Sequence, residues 1–322
     1  MKTTRAVVIA AAGQVQCQEI ALPLLGHEDV LVRMVAAPIH PADLNSIEGK
    51  YPGAPKPPYV GGREGAGVVE EIGAEVATLN PGDLVLLPSA GGAWRERGVH
   101  HAADLVPVPK IIHPLQAALL RINPGTALRM LRDFVPLLPG EWLAQNAGNS
   151  AVGRAVIQLA HYFGWHTLNL VRDLDAVDPD VLKIGDIFLA DDGSSDAPPL
   201  LHAPRLAFNA VGGESALRLA NALSEGGTLV TYGAMARRPV KLPNSLLIFR
   251  DLHARGFWLT RWSGHASPST QQAMLAELIG LAVAGVLRSH IETTYPLEAF
   301  ADALAHAARP RRQGKILFGP AS

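Results

Sequence analysis

The 322-residue chain predicts a two-part α/β fold, an N-terminal β-barrel followed by a doubly wound parallel sheet, and three observations carry that expectation. Up to about residue 108, short β-rich runs alternate with Gly and Pro, as in Tyr51-Pro-Gly-Ala-Pro-Lys-Pro-Pro58, which is the pattern of a twisted antiparallel barrel with long loops. From about residue 115 to 262, apolar strand-like runs alternate with helical ones, the mark of a parallel sheet. Within that region, residues 141–160 read as a buried strand, a tight glycine-containing turn and a helix.

Each element has its own signal. Residues 6–10 are a continuous apolar run and predict the first strand. In the second region the strands are expected at 141–146, 167–171, 205–209, 228–232 and 254–258. Polar or glycine-rich turns follow, Ala210-Val-Gly-Gly213 and Gly233-Ala-Met235 among them, and the carboxyl ends of such strands are where a doubly wound sheet binds its ligand. The tail predicts helices over 269–286 and 297–308 and a last strand over 315–318 that returns to the first domain. The expected boundaries are therefore 1–126, 127–262 and 263–322.

The turn after the 141–146 strand reads Gly148-Asn-Ser150-Ala-Val-Gly153, a G-x-S-x-x-G variant of the dinucleotide cradle. Gly148 is expected to take the tight turn and Gly153 to let the helix pack closely. Ser150 stands where the middle glycine would be, small enough to admit a pyrophosphate beside the amides of the helix N-terminus. A glycine-containing strand-to-helix turn without a ligand is the alternative reading. A hydrolase nucleophile elbow is not met, because it needs glycine where Val152 stands. The next strand ends in Arg172-Asp173, nineteen places after Gly153, where the cofactor ribose is expected. An arginine there suits a 2′-phosphate, so NADPH is expected; Asp173 and Asp175 leave the local charge mixed, and a solvated loop arginine is the competing reading.

Composition excludes several classes. A net charge of −1 offers no field for nucleic acid, and no run of eighteen apolar residues predicts a membrane span. The basic cluster over 309–315 reads as a solvated turn or a phosphate contact. Cys17, the single cysteine, cannot form an internal disulfide. The strand-like run begins so early that no signal or transit peptide is expected, and cytoplasmic residence follows as an expectation.

The run Gly61-Gly-Arg-Glu-Gly65, with Pro81-Gly-Asp83 before a strand and a dinucleotide fold downstream, resembles the medium-chain dehydrogenase/reductase superfamily. The resemblance implies a GroES-like catalytic domain ahead of a Rossmann cofactor domain. Narrower matches are Ala37-Pro-Ile-His-Pro-Ala-Asp-Leu-Asn45, Gly49-Lys-Tyr51, Ile122-Asn-Pro-Gly-Thr-Ala127, Gln145-Asn-Ala-Gly-Asn-Ser150, Val171-Arg-Asp173, Thr231-Tyr-Gly-Ala-Met235 and Arg255-Gly-Phe-Trp-Leu259. Together they look like the mitochondrial-type trans-2-enoyl thioester reductases, over nearly the whole chain. That resemblance implies Tyr51 as the catalytic residue. It implies NADPH contacts at Asn123, at Asn149, Ser150, Ala151 and Val152, at Arg172 and Asp173, at Tyr232, Gly233, Ala234 and Met235, and at Phe257, Trp258, Leu259 and Thr260. Departures are His40 where the family tends to have asparagine, Pro52 after the tyrosine, a short acidic loop from Arg172 to Asp186, and Gly314 where a lysine is usual, with Lys315 one place on.

Many relatives in the superfamily are zinc enzymes, which place a histidine where this chain has Arg63. His40 and Glu64 are too few for a site, and the adjacent His100 and His101 point to opposite sides of a strand, so no metal is expected. The expected reaction is zinc-independent reduction of the C=C bond of an enoyl thioester, carried by coenzyme A or acyl carrier protein. It needs hydride at the β-carbon, a donor for the enolate oxygen and a proton for the α-carbon, and a tyrosine phenol is such a donor at neutral pH. Tyr51 as a surface residue packed on prolines is the bland alternative. A quinone or enone reductase on the same scaffold is the nearest competing function, and an NADPH-binding protein without turnover the second. The stretch over 240–258 resembles the edge through which this superfamily joins two cofactor sheets, so a homodimer is expected.

Overall fold

The computed structural model describes residues 2–89, 91–198 and 200–320, which divide into two units, Met1–Ile122 with Arg288–Ser322, and Asn123–Leu287. In the first unit the chain forms β1 (Thr3–Ala11), β2 (Gln14–Ala21), β3 (Asp29–Pro38), α1 (Pro41–Ile47), β4 (Tyr59–Val60), β5 (Ala66–Ile72), β6 (Leu84–Leu86), β7 (Arg97–His101), β8 (Val106–Val108) and α2 (Pro114–Ala117). The second unit holds α3 (Asn123–Asp133), β9 (Trp142–Gln145), α4 (Ala151–Phe163), β10 (His166–Val171), α5 (Pro179–Leu182), β11 (Ile187–Ala190), β12 (Leu206–Asn209), α6 (Gly213–Ala222), β13 (Thr228–Thr231), α7 (Asn244–Phe249), β14 (His253–Gly256), α8 (Leu259–His265) and α9 (Pro268–Val283). The chain then returns to the first unit as β15 (Ile291–Tyr295), α10 (Phe300–Ala308) and β16 (Lys315–Phe318).

Pairing in the first unit is antiparallel except between β15 and β16, which run parallel. β1 and β2 make a hairpin that turns at Gly13, whose φ of 74° is open to glycine at little cost. A larger sheet runs β15-β16-β3-β5-β6-β8, with β7 on the other side of β3. Its interior is filled by Ile9, Ile39, Leu87 and Phe318 around Trp94, whose ring meets Phe318 edge-on at 5.2 Å. The Trp94 indole donates to Pro38 O at 3.2 Å, so the one polar atom of that buried ring is satisfied.

The second unit is a six-stranded sheet in the order β11-β10-β9-β12-β13-β14, every pair parallel. With helices covering both faces, the central strands bury Leu143, Leu168, Leu170, Phe208 and Val230, along with the polar Gln145, Asn169 and Asn209. The order reverses between β10 and β12 on either side of β9, which makes the carboxyl edge beside β9 the crevice of a doubly wound sheet.

Several expectations are corrected here. The unit boundaries fall after 122 and 287 rather than 126 and 262, since α3, α8 and α9 belong with the parallel sheet. α3 starts where the sequence shows a Pro-Gly pair, and Pro124 is tolerated because the amide it lacks would have no partner in the first turn. The last strand of the sheet ends at Gly256 rather than 258, and Trp258 is the N-cap of α8. Strand β11, not expected at all, is four residues long and pairs only with β10, too short to show a period. Among the described residues no helix is long and apolar enough to cross a membrane.

Candidate active site

The candidate phosphate cradle of the second unit is the turn from β9 to α4. Ser150 is the N-cap of α4, its hydroxyl accepting from Gly153 N at 3.1 Å, while Arg154 N closes onto Ser150 O. That leaves the N–H groups of Ala151 and Val152 at the head of a 13-residue helix that ends cleanly at Gly164, the arrangement that favours an anion. The expectation for the tight turn needs correction: the left-handed residue is Ala147, with φ of 51°, and not Gly148. Gly148 is favoured by crowding instead, since a Cβ there would lie 3.0 Å from the Cβ of Asn169, which would have to give way by a few tenths of an ångström. Gly153 behaves as expected, because a Cβ on it would sit 2.6 Å from the carbonyl oxygens of both Ala147 and Gly148.

Beneath the turn lies a buried polar layer. The Gln145 amide donates to Gly153 O at 2.9 Å and to Asn169 Oδ1 at 2.8 Å, locking strand to helix. Asn149 is committed to its own loop: it donates to Ala176 O at 2.6 Å and accepts from Arg154 Nε at 3.1 Å and Asp178 N at 3.3 Å. Arg154 in turn pairs with Asp178 at 2.9 Å, nearly out of solvent, so the acidic 172–186 loop is strapped onto α4 by a residue that sequence reasoning passed over. The Asn149 carbonyl is engaged as well, accepting from Arg154 Nε at 3.1 Å, so among the described residues it is the backbone N–H of Asn149 that has no hydrogen-bond partner in this loop.

Arg172 and Asp173 follow β10 directly and are exposed at its carboxyl tip. Asp173 Oδ1 accepts from Asp175 N at 3.1 Å, so this carboxylate shapes its own turn while the arginine projects from the strand end. On the far side of β9, Tyr232 leaves β13, and its buried hydroxyl lies beside the Ser150 hydroxyl without reaching a partner at hydrogen-bonding distance. Burial pushes that phenol well above the usual range, so it stays protonated. A Cβ on Gly233 would lie 3.0 Å from Ala210 O, Ala234 follows, and Met235 is anchored by its amide to Ala210 O while its side chain stays exposed. Phe257 is held through its amide on Thr231 O and its ring on Phe134 at 6.1 Å, and Trp258, Leu259 and Thr260 make the start of α8. Asn123 opens α3 almost fully buried, its amide nitrogen lacking any partner. Buried donors left open at Asn123 and Tyr232, with a glycine-dependent anion cradle between β9 and α4, fit a dinucleotide phosphate.

In the first unit Tyr51 stands in the loop that leaves α1, two places after Gly49, whose φ of 71° ends the helix. The Tyr51 ring is half-buried under the Arg63 guanidinium, 4.1 Å from the ring centre. Arg63 is itself fixed by a bond to Ser46 Oγ at 2.9 Å and by the buried Asp43 carboxylate at 3.8 Å. Burial raises the Asp43 carboxyl, which accepts from His40 N at 2.8 Å at the head of α1.

His40, read from the sequence as an ordinary polar residue, is the middle of a buried chain. Its Nε2 lies 2.7 Å from Glu64 Oε1 and its Nδ1 3.2 Å from Lys315 Nζ, which also donates to Ile39 O. Glu64 Oε2 accepts from Ile122 N at 2.8 Å. Burial brings Lys315 down to about 8. These contacts bear on zinc, because His40 and Glu64 spend both of their ligating atoms on protein partners, Arg63 covers Tyr51, and Cys17 sits in β2. The residues present do not fit that metal. His100 and His101 do face different ways on β7: His100 is inward, pushed down to about 4 by burial and by Arg95, while His101 caps the turn at Ala103 N.

Comparison with known proteins agrees with this architecture. The alcohol dehydrogenase GroES-like domain matches residues 26–110, and the zinc-binding dehydrogenase family matches residues 203–317. Enoyl-[acyl-carrier-protein] reductase, mitochondrial, of Mus musculus is 42% identical over 310 residues, covering 92% of this chain and 82% of the relative. The Homo sapiens protein of the same name is 40% identical with the same coverage. The mitochondrial 2-enoyl thioester reductase Etr1p/Etr2p heterodimer of Candida tropicalis superposes with a TM-score of 0.88 at 28% identity, over 99% of this chain and 100% of that one. A complex of Etr1p with NADP and crotonyl-CoA gives a TM-score of 0.88 at 27% identity, with the same coverage. A Pseudomonas syringae quinone oxidoreductase, at 24% identity and a TM-score of 0.84 over 98% of this chain and all of its own, shares the fold alone. The relatives' names overturn the expected cytoplasmic residence, for they are mitochondrial enzymes, and an early strand-like run, on which that expectation rested, does not fix a compartment. With 42% identity across nine-tenths of its length and both domain types in place, the chain belongs to the mitochondrial-type enoyl-[acyl-carrier-protein] reductase family of the medium-chain dehydrogenase/reductase superfamily.

Proposed function

We propose that this chain reduces the C=C bond of trans-2-enoyl thioesters with NADPH, placing hydride on the β-carbon and a proton on the α-carbon, without zinc. The observation that carries this reading is Tyr51 under the Arg63 guanidinium, at the position where a zinc enzyme would need an imidazole. Bound NADPH supplies the hydride. Within the protein, Ala151 and Val152 N–H with the Ser150 hydroxyl hold the pyrophosphate, Arg172 takes the 2′-phosphate, and the open donors of Asn123 and Tyr232 meet polar groups of the cofactor. The segments 233–235 and 257–260 complete the walls. Tyr51 orients the thioester carbonyl and supplies the proton, directly or through water. Arg63 favours that step, because a cation over the ring stabilises the negative charge that the phenol acquires as its proton leaves.

The same reading includes a homodimer through β14. All four residues of that edge strand are exposed, and Leu247, Ile248 and Phe249 of the preceding helix are exposed apolar residues, a liability unless covered.

A panel of crotonyl, hexenoyl and decenoyl thioesters, each on coenzyme A and on acyl carrier protein, tested beside small quinones by NADPH absorbance, checks the activity. Turnover of the thioesters, unaffected by a chelator, is expected. Turnover of quinones alone would move the assignment to a quinone reductase, and cofactor binding with no turnover to a binding protein.

A further inference from the structure

At the carboxyl edge of the parallel sheet, Val171 of β10 is paired with Ala190 of β11, so the residues that follow, Arg172 and Asp191, emerge side by side. Asp191 N donates to Val171 O at 2.7 Å, fixing its backbone against the same strand whose tip carries the arginine. Its side chain is fixed as well. Ser215 Oγ accepts from Asn146 Nδ2 at 2.9 Å and gives its one hydrogen to Asp191 Oδ2 at 2.6 Å. Asn146 is held in turn by Asn209 at 2.9 Å, and Asn209 by Thr231 at 3.1 Å, so a ladder of buried polar groups crosses the strand ends and terminates on this carboxylate. The other oxygen, Asp191 Oδ1, is buried and has no hydrogen-bond partner. The neighbouring Asp192 is different, being paired with Arg218 at 3.1 Å. A carboxylate that is locked on one side and unsatisfied on the other is an acceptor waiting for a donor.

We propose that Asp191 is the base-reading residue of the dinucleotide site, its Oδ1 accepting from the exocyclic amine of adenine. The proposal rests on the NADPH reading above. If Arg172 holds the phosphate on the adenosine ribose, the base attached to that ribose lies at the adjoining strand, where Asp191 is. The chemical class that fits is an aminopurine, since the site presents an acceptor. A 6-oxopurine would set its own acceptor against the carboxylate and leave a buried charge unpaired.

The test compares NADPH with reduced nicotinamide hypoxanthine dinucleotide phosphate, which differs only in the base and keeps the same nicotinamide fluorescence. Both are titrated into the whole protein and into Asp191→Asn by fluorescence enhancement, without substrate. Wild type is expected to bind NADPH about ten- to a hundredfold more tightly, the range for one charge-assisted bond. Asp191→Asn, whose amide can donate to a 6-oxo group and still accept from Ser215, is expected to bring the two affinities together or invert them. Equal binding of both cofactors by wild type, or an unchanged ratio in the variant, would overturn the assignment while leaving the NADPH reading intact. If neither cofactor binds, the dinucleotide reading fails and this assignment fails with it.

Discussion

At the residue scale, three side chains carry the sharpest expectations. Tyr51 keeps its ring and its face for Arg63 when changed to phenylalanine and loses the phenolic hydroxyl, so Tyr51→Phe should lower kcat by about a hundred- to ten-thousandfold with NADPH affinity nearly unchanged. Steady-state kinetics beside a cofactor titration checks this, and near-wild-type turnover would reduce Tyr51 to a packing residue. Arg172 is exposed at the tip of β10, and removing its charge-assisted contact costs about 1.5–3 kcal/mol, so Arg172→Ala should weaken NADPH by roughly ten- to a hundredfold and NADH hardly at all. Equal losses for the two cofactors would count against it. His100 is held down to about 4 by burial, so its imidazole is neutral in the folded protein while the unfolded chain takes up a proton near pH 6.5. Its effect on stability is therefore absent above about pH 6.5 and grows as a loss while the pH falls to about 4. His100→Gln should flatten the acid side of the Tm profile in that window, and parallel profiles for the two proteins would show that another group sets it.

At the element scale, the turn from β9 to α4 is the most constrained piece of the chain. A methyl group at position 153 would meet two backbone oxygens, which cannot rotate away as a side chain can, so Gly153→Ala should force the helix off the strand. The expected cost is about 1–3 kcal/mol of stability together with a large loss of NADPH affinity, read by thermal unfolding with and without cofactor. A variant of normal Tm that still gains stability on adding NADPH would show that the turn tolerates the shift. This element was legible in the sequence because glycines, a capping serine and an apolar helix face follow one another locally. The left-handed residue was not, because Ala147 adopts it under the demand of the surrounding bonds rather than by its own preference. Strand β11 and helix α3 were missed for a related reason, one too short to show a period and the other hidden behind its own proline.

At the scale of the whole molecule, the exposed edge of β14 and the apolar end of α7 set the expected assembly. Sedimentation should give a species of twice the 34.1 kDa chain, and Phe249→Glu, placing charge on a residue that is 77% exposed in the single chain, should shift it to the monomer without unfolding it. A wild-type monomer at micromolar concentration would remove the homodimer. The buried chain of Glu64, His40 and Lys315 belongs to this scale too, for it joins groups 24 and 275 positions apart in sequence and binds the returning strand β16 to the head of α1.

The sequence by itself determined the class of the fold, the order of its two kinds of sheet, the glycine-bearing turn from β9 to α4, and the places of the arginine at the second strand tip and of the tyrosine after α1. These rest on local signals, namely period, glycine and proline placement, and short motifs, which act over a few residues and survive whatever the chain packs against. Only the tertiary structure decided that Arg63 lies on Tyr51, that Asn149 is consumed by its own loop, that His40 bridges a lysine and a glutamate, and that Asp191 keeps one oxygen open. The physical reason is common to all four: the state of a buried polar atom is set by which distant atoms reach it, and no spacing along the chain records that.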